Sequence, residues 1–438
     1  MSKLRQGWER IRSSSLAHNA GWMFLGQGVS VGCKGAYFIF LAHLLGSFEF
    51  GVYVGVVAVV STFSQYSTLG SYSVFLRYVC PNRENFALYW GNVVVTTLIF
   101  GSMLAGILAW VGPSVARSYS WKLVACVAIG DCLCAQLTIA AGAAFQAFEK
   151  MHITAALNLA QNMLLATFAG LMLWRIHHAT AQQWVVMALV VSFLGVCAAL
   201  ALVAGSLGRA AFSFRLWRRR CGEGLIFAFS YSTGAIYNNI DKAMLGHFGM
   251  NIANGIYGMA YRVIDTATMP FNSIQAATFP RFFRKGVGGI RSTADYAIRI
   301  VKYTVPIALL TTLVMLLAAP IIPHLLGPGF SETVSALRWL CLIPVFRSLH
   351  MSPGDALTAS GHQKWRLGTQ SAVSVFNFGT NLYLIPHYGW LGAAWSSLAT
   401  DGMLAVFNWT VLLAIRANAR DPECQQEPQP LDAGYVAR

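Results

Sequence analysis

Residues 223–284 read EGLIFAFSYSTGAIYNNIDKAMLGHFGMNIANGIYGMAYRVIDTATMPFNSIQAATFPRFFR. The stretch divides at His247–Asn254 into two apolar segments. Each is long enough to cross a bilayer, which takes about 20 helical residues for roughly 30 Å of hydrocarbon. Each also carries charge where lipid would reject it: Asp241 and Lys242 in the first, Arg262 and Asp265 in the second. A charge at that depth costs at least about 2.5–3.5 kcal/mol on insertion scales, so it must face protein or water. At helical spacing Tyr231, Asn238, Asp241 and Lys242 share one side of the first segment. Asn254, Tyr257, Tyr261, Asp265, Thr268 and Asn272 form a stripe along the second, with Arg262 on its shoulder. Facing polar stripes predict the wall of an aqueous cavity. Asp241 and Arg262 lie at similar depth on either side of the turn and are expected to pair.

Working outward, the whole chain has this character. Its 438 residues are 56% hydrophobic and only 11% charged, with mean hydropathy +0.54. A soluble domain is nearer to a quarter charged, so the composition defines an all-α polytopic membrane protein. Twelve apolar spans are expected: Ala20–Leu44, Gly51–Leu76, Leu88–Val111, Trp121–Phe145, Thr154–Trp174, Trp184–Ser206, Glu223–His247, Asn254–Pro280, Ile300–Ile321, Thr333–Leu357, Trp365–Pro386 and Leu391–Ile415. With the N-terminus in the cytoplasm, only Arg117, Lys122 and Arg175 fall on outer segments, and nearly all other Lys and Arg on inner ones. That satisfies the positive-inside rule and places both termini in the cytoplasm. The net charge of +15 is thereby a topology signal, not a nucleic-acid footprint. The basic run 209–220 could also meet anionic lipid headgroups. The nine cysteines show no CxxC pair and no zinc spacing, so no metal site is expected. There is no P-loop, GxSxG or HExxH motif, and no enzyme is expected.

Other spans carry buried charge too. Gln27, Ser30, Lys34 and Tyr37 share an arc of the first span, with Lys34 near mid-membrane. Span four carries Asp131 and span twelve Asp401. Span ten carries Arg347, His350 and Asp355, with Pro344 and Pro353–Gly354 permitting bends. Lys34, Lys242, Arg262, Arg347, Asn238 and Tyr261 are the candidate substrate-binding residues. Asp241, Asp265, Asp131 and Asp401 are the candidate gating or coupling groups. Spans three, five, six and nine are plainer and are expected to face lipid.

An internal repeat organises these spans. Leu45–Gly46 followed by Gly51-Val-Tyr53 matches Leu245–Gly246 followed by Gly255-Ile-Tyr257. Glu149–Lys150 and Gln363–Lys364 occupy matching inner ends. Two six-helix halves of the same orientation are expected, 1–212 and 213–420, related by a pseudo-two-fold axis, with a disordered tail over 421–438.

The motifs then resemble a family. Gly26-Gln27-Gly28, Leu41–Gly46 and Gly51-Val-Tyr53 look like the opening of bacterial polysaccharide transporters of the O-antigen flippase kind. Asp241-Lys-Ala-Met-Leu-Gly246, Ala260–Asp265 and Phe279-Pro-Arg-Phe-Phe283 are similar to the same family, as is Gly389-Trp-Leu-Gly-Ala-Ala-Trp395. That family belongs to the multidrug/oligosaccharidyl-lipid/polysaccharide exporter superfamily. The resemblance implies a MATE-like pair of six-helix lobes in the bacterial inner membrane. It further implies flipping of undecaprenyl-diphosphate-linked oligosaccharide by alternating access, for surface polysaccharide assembly. Lumenal cations would meet the diphosphate. No cofactor is implied; a coupling ion, H+ or Na+, is left open. Partners would be the lipid-linked oligosaccharide, membrane lipids and a polysaccharide polymerase. Two alternatives stand beside it: a drug/cation antiporter on the same fold, favoured by Asp131, Asp265 and Asp401, and a structural partner in a polysaccharide assembly complex.

Overall fold

The structure is a computed structural model that describes residues 15–419 except 81, 116–118 and 287, with side chains from residue 32 onward apart from 115, 230, 270, 276, 277 and 280. The side chains of Gln27 and Ser30 and the tail 421–438 lie outside the described residues. Every regular element among the described residues is helical. In chain order these are α1 (Ser15–Ser64), α2 (Ser71–Val79), α3 (Phe86–Val115), α4 (Trp121–Ile129), α5 (Gln136–Ala147), α6 (Met151–Ile176) and α7 (Ala181–Ser206). The second half continues with α8 (Phe214–His247), α9 (Asn251–Ala267), α10 (Met269–Gly286), α11 (Gly289–Ala318), α12 (Ile322–Leu326), α13 (Thr333–Leu340), α14 (Ile343–Ala359), α15 (Gln363–Tyr388) and α16 (Trp390–Asn418). Gly46, at φ 66 and ψ 176, divides α1 into the first and second spans.

Three expected spans are not continuous. Span two breaks over residues 65–70 between α1 and α2, span eight at Thr268, and span ten between Leu340 and Ile343. Span four stays continuous, but residues Gly130–Ala135 wind as a π-helix around Asp131. Polar side chains supply the physical reason in span two. Ser64 and Ser67 hydroxyls donate to carbonyls three residues back, and the Gly70 amide donates to Thr68 Oγ1, diverting groups from the helical ladder. The irregularities recur with the repeat: spans two and eight break at matching places, and spans four and ten depart from regular winding at matching places. Turn conformations recur as well. Glu149 and Gly361 both have positive φ, as do His177 and Gly389. Each pair is separated by the same interval in the chain.

Among the described residues, seven helical stretches are both long and apolar enough to span a bilayer by composition alone. Spans seven, eight, ten and eleven are not among them, because polar residues interrupt their apolar runs. Of these, α9 and α14 are largely buried. The plainer spans show the opposite pattern: only 11% of the central window of α6 and 22% of that of α7 is buried. Trp110 on α3 and Leu317 on α11 are 83% and 71% exposed, as suits lipid-facing positions.

By packing, the described chain forms two compact units that do not coincide with its two halves. The first contains 1–266, 315–341 and 374–398; the second contains 267–314, 342–373 and 399–438. The first is held at its centre by a close crossing of α1 and α9. A methyl group on Gly51 would lie 1.7 Å from the Asn251 carbonyl oxygen and 2.7 Å from the Gly255 nitrogen. A methyl on Gly255 would lie 2.1 Å from the Ser47 carbonyl oxygen and 3.2 Å from the Gly51 nitrogen. Ser47 and Asn251 are related by the same interval as Gly51 and Gly255. Each half therefore meets the other through equivalent atoms, as a pseudo-two-fold axis requires. In the second unit, Phe282, Ile290, Ala294, Ala356 and Leu412 build a core shared by α10, α11, α14 and α16.

Gly51→Ala should destabilise the protein by about 1–3 kcal/mol, because its neighbours at the crossing are backbone atoms that cannot move aside. Gly106→Ala has nothing within 4 Å and should be neutral or slightly stabilising. Thermal denaturation of the two purified variants checks this; equal midpoints would refute a tight crossing.

Candidate functional site

Most of the predicted site residues lie in the first unit, on α1, α8, α9 and the π-wound segment. Asp241, on α8, is 2% exposed. One of its carboxylate oxygens, Oδ2, accepts from the Tyr257 hydroxyl and, at 2.7 Å, from Ser397 Oγ. Tyr257 and Ser397 also touch each other at 2.8 Å. The second oxygen, Oδ1, is buried and has no hydrogen-bond partner among the described residues. Three helices, α8, α9 and α16, thus converge on one carboxylate. The Tyr261 ring packs against Tyr257 at 4.8 Å between centroids. Lys242 lies over the Tyr261 ring at 4.2 Å and donates to the Asn238 carbonyl at 2.7 Å.

A second cluster lies around Arg262. Its guanidinium carbon sits 5.0 Å from the centre of the Phe38 ring. No carboxylate lies within 4 Å of it among the described residues, although Asp131, Tyr37 and Tyr53 are close enough to feel its charge. Tyr37 Oη meets Tyr53 Oη at 3.4 Å, and the Tyr37 ring packs on Trp184 at 5.7 Å. An arginine held by ring faces keeps its planar fork of donors available to an anion.

The two clusters have one spacing in common. Tyr53 and Tyr257 are repeat equivalents, while the match of Leu45–Gly46 with Leu245–Gly246 sets Tyr37 against Tyr237; what the clusters share is a contact between residues 16 apart. In the first half the pair is Tyr37–Tyr53; in the second it is Asp241–Tyr257. The spacing of the two contacts is the same, but the second uses a carboxylic acid where the first uses a phenol.

Several expectations change. Asp241 and Arg262 do not pair; hydroxyl donors hold Asp241 and the Phe38 ring face supports Arg262. The stripe on span eight is not simply a cavity wall. Asn254, Tyr257, Tyr261 and Thr268 are buried, while Asp265 and Asn272 are exposed. Asn254 is consumed in packing, donating to the Gly51 and Lys242 carbonyls at 3.1 and 3.0 Å. The Asn238 amide turns back to the Gly234 carbonyl of its own helix at 2.8 Å. Lys34 is half-buried and makes no ion pair among the described residues.

Arg347 and Asp401 belong to the second unit. Asp401, 3% exposed, lies 3.3 Å from His350 Nε2. The His350 carbonyl accepts from Asn408 at 3.1 Å, which fixes α16 on α14. Arg347 is near enough to His350 to act on its charge. Asp355, counted with the lumenal acids from sequence, is held by Arg366 at 3.1 Å and Gln275 at 3.2 Å. Ser397, Phe38 and His350 are the residues that span-by-span inspection underweights. Ser397 and Phe38 carry no charge to flag them, although the repeat would have pointed to Tyr53. Among the described residues no group of three His, Cys, Asp or Glu could hold a metal.

The fold defines the class. An inward-facing multidrug resistance MATE family transporter of the MOP superfamily aligns with a TM-score of 0.70 and 14% identity, over 91% of this chain and 96% of that one. An outward-facing MATE family transporter of that superfamily aligns at 0.63 and 12% identity, over 90% and 95%. So does a MOP superfamily transporter from Pyrococcus furiosus described by a binding pocket of reversed polarity, at 0.64 and 12% identity, over 90% and 94%. This is the twelve-helix, two-lobed MATE-like fold of membrane transporters. A search by sequence against curated proteins finds no match. The profile of the family described as polysaccharide biosynthesis protein matches residues 16–285, and the chain belongs to that family.

Ser397→Ala and Tyr257→Phe should each cost about 1.5–3 kcal/mol, the range for a hydrogen bond to a charged group. Together they should cost clearly less or more than their sum, since they share one acceptor oxygen. Asp241 and Arg262 should couple by less than about 0.5 kcal/mol in the same kind of cycle. Unfolding midpoints in detergent read both; strong coupling between Asp241 and Arg262 would restore the pair expected from sequence.

Proposed function

We propose that this protein flips a diphosphate-linked lipid oligosaccharide across the bacterial inner membrane by alternating access, and is not an enzyme. The observation that carries this is Arg262, a half-buried cation inside a membrane span whose side chain lies against the Phe38 ring and makes no ion pair among the described residues. A substrate diphosphate would meet its fork of donors in charge-assisted, bidentate bonds. Lys242, presented on Tyr261, and Lys34 would add point charges, with Asn238 and Tyr261 meeting the neutral part of the headgroup. Arg347 would serve from span ten. Membership of a polysaccharide biosynthesis family supports this cargo over a drug.

Asp241 is assigned to coupling. A buried carboxyl with one oxygen held by hydroxyls and the other without a partner suits uptake of a proton or a small cation. Asp131, Asp265 and Asp401 are secondary candidates, Asp131 through Arg262 and Asp401 through His350. The moving bodies would be the lobes 1–212 and 213–420, and the crossing of Gly51 on Gly255 would part when the outer side opens. Asp241 also keeps a second reading in view, a drug/cation antiporter. A polymerase partner remains compatible with the flippase reading.

Export by variants in a deletion strain tests the proposal. Arg262→Ala at normal membrane levels should lower surface polysaccharide by about ten-fold or more, the loss of charge-assisted bonds worth about 1.5–3 kcal/mol. Arg262→Lys should be intermediate. Arg218→Ala, an exposed site on α8, should export nearly normally. Wild-type export by Arg262→Ala, or altered drug tolerance with normal polysaccharide in the deletion strain, would overturn the reading.

The orientation is tested separately. A reporter fused at Gly208, in the connection before α8, should read cytoplasmic, and one at Gly249 periplasmic. Opposite readings would invert the loop assignment.

A further inference from the structure

Two aromatic side chains press on the α1–α9 crossing from opposite halves of the chain. Tyr119 stands two residues before α4, and Phe330 ends the short turn Pro328–Phe330 between α12 and α13. They hold matching places in the repeat, one just before span four and the other just before span ten. Both are buried, Tyr119 to 5% and Phe330 to 1% exposure. Each rests on the other half. A methyl group on Gly246 of α8 would lie 1.8 Å from the Tyr119 hydroxyl oxygen, and one on Gly55 of α1 would lie 1.9 Å from it. The Phe330 ring meets Phe50 of α1 edge-on at 6.0 Å, and a methyl on the neighbouring Gly329 would lie 3.4 Å from Ser47 Oγ. All of these residues belong to the first unit. The loop charges assign this end to the outside, since Gly246 lies at the far end of α8 from its arginines.

Neither side chain is bonded into its seat. Tyr119 fits by shape, because room for its hydroxyl exists only where Gly55 and Gly246 lack Cβ atoms. That hydroxyl is buried and has no hydrogen-bond partner among the described residues. An unpaired buried hydroxyl opposes the seated position, since leaving the seat returns it to water. Phe330 is held by apolar and ring contact alone. The connection between spans five and six is different. There the Ala179 amide donates to the Leu44 carbonyl at 2.9 Å and the Ala181 amide to Glu49 at 2.7 Å. Those bonds lie within the first half and can travel with it. The contacts of Tyr119 and Phe330 join one half to the other, so they must let go when the halves separate.

We propose that Tyr119 and Phe330 are reciprocal latches that hold the outer side closed, each half locking the other. Both side chains leave their seats before the crossing of α1 on α9 parts. The inference rests on alternating access and on the orientation read from the loop charges, but not on the identity of the cargo. The two latches differ in kind. Phe330 loses apolar contact when it leaves and regains nothing. Tyr119 loses ring contact but recovers the hydration of its hydroxyl, so its seat is tight by shape and still readily vacated.

The test is the reaction of a cysteine beneath the latches with an impermeant maleimide added to spheroplasts. Val54→Cys, in the full-length protein with its native cysteines replaced by alanine, supplies the reporter. Val54 is 3% exposed, and its Cγ1 would lie 2.8 Å from a methyl on Gly258, across the crossing. Tyr119→Ala and Phe330→Ala should each raise the labelling rate at least about five-fold, as the outer-open population grows. Tyr119→Phe keeps the ring and removes the unpaired hydroxyl, so it should label no faster than the parent. Gly246→Ala puts a methyl where the hydroxyl sits and should act like Tyr119→Ala. The two combined should label no faster than Tyr119→Ala alone. If Tyr119→Ala does not reach the membrane, Gly246→Ala and Phe330→Ala carry the same expectation. Unchanged labelling in the membrane-inserted variants, faster labelling in Tyr119→Phe, or additive rates in the combined variant would each overturn the proposal. No cargo enters the measurement, so a wrong cargo would leave these expectations unchanged.

Discussion

The approach of two backbones at Gly51 and Gly255 is the constraint on which the first unit depends. Side chains at these positions would overlap the Asn251 and Ser47 carbonyls, so the crossing exists only because neither residue has a Cβ. Bringing the helices this close lets Asn254 reach the Gly51 carbonyl on one side and the Lys242 carbonyl on the other. The register so set puts Tyr257 beside Asp241 and carries Tyr261 under Lys242. Small residues at helix crossings are a general solution in membranes, where dispersion contact replaces the hydrophobic effect between helices. Here the same contact also defines the symmetry.

The two halves build contacts of the same spacing from different side chains. The first half places phenol against phenol, which carries no charge at neutral pH. The second places phenol against carboxylic acid, which can hold or release a proton. Arg262 lies against the Phe38 ring, near the phenol pair, with no side-chain hydrogen bond or ion pair among the described residues.

Composition and the placement of Lys and Arg were enough to determine a polytopic helical bundle, because a bilayer admits few other structures for so apolar a chain. The repeated Gly-aliphatic-Tyr motif was enough to reveal two related halves, since equivalent helices must solve the same packing problem. Lys242, Arg262, Asp241 and Tyr261 were legible as interior residues from the cost of burying charge. Which of them touch was not legible. Helical periodicity fixes the face a residue occupies on its own helix, but not the rotation or depth of its neighbour. Asp241 and Arg262 share a depth and still do not meet, because Ser397 reaches Asp241 from a helix more than a hundred residues away in sequence. The breaks in spans two, eight and ten, and the π-turn at Asp131, were likewise invisible to hydropathy, which averages over the residues that divert the backbone bonds. Only tertiary structure decided those, because an intrahelical hydrogen bond is given up where local side chains and neighbouring helices offer another partner.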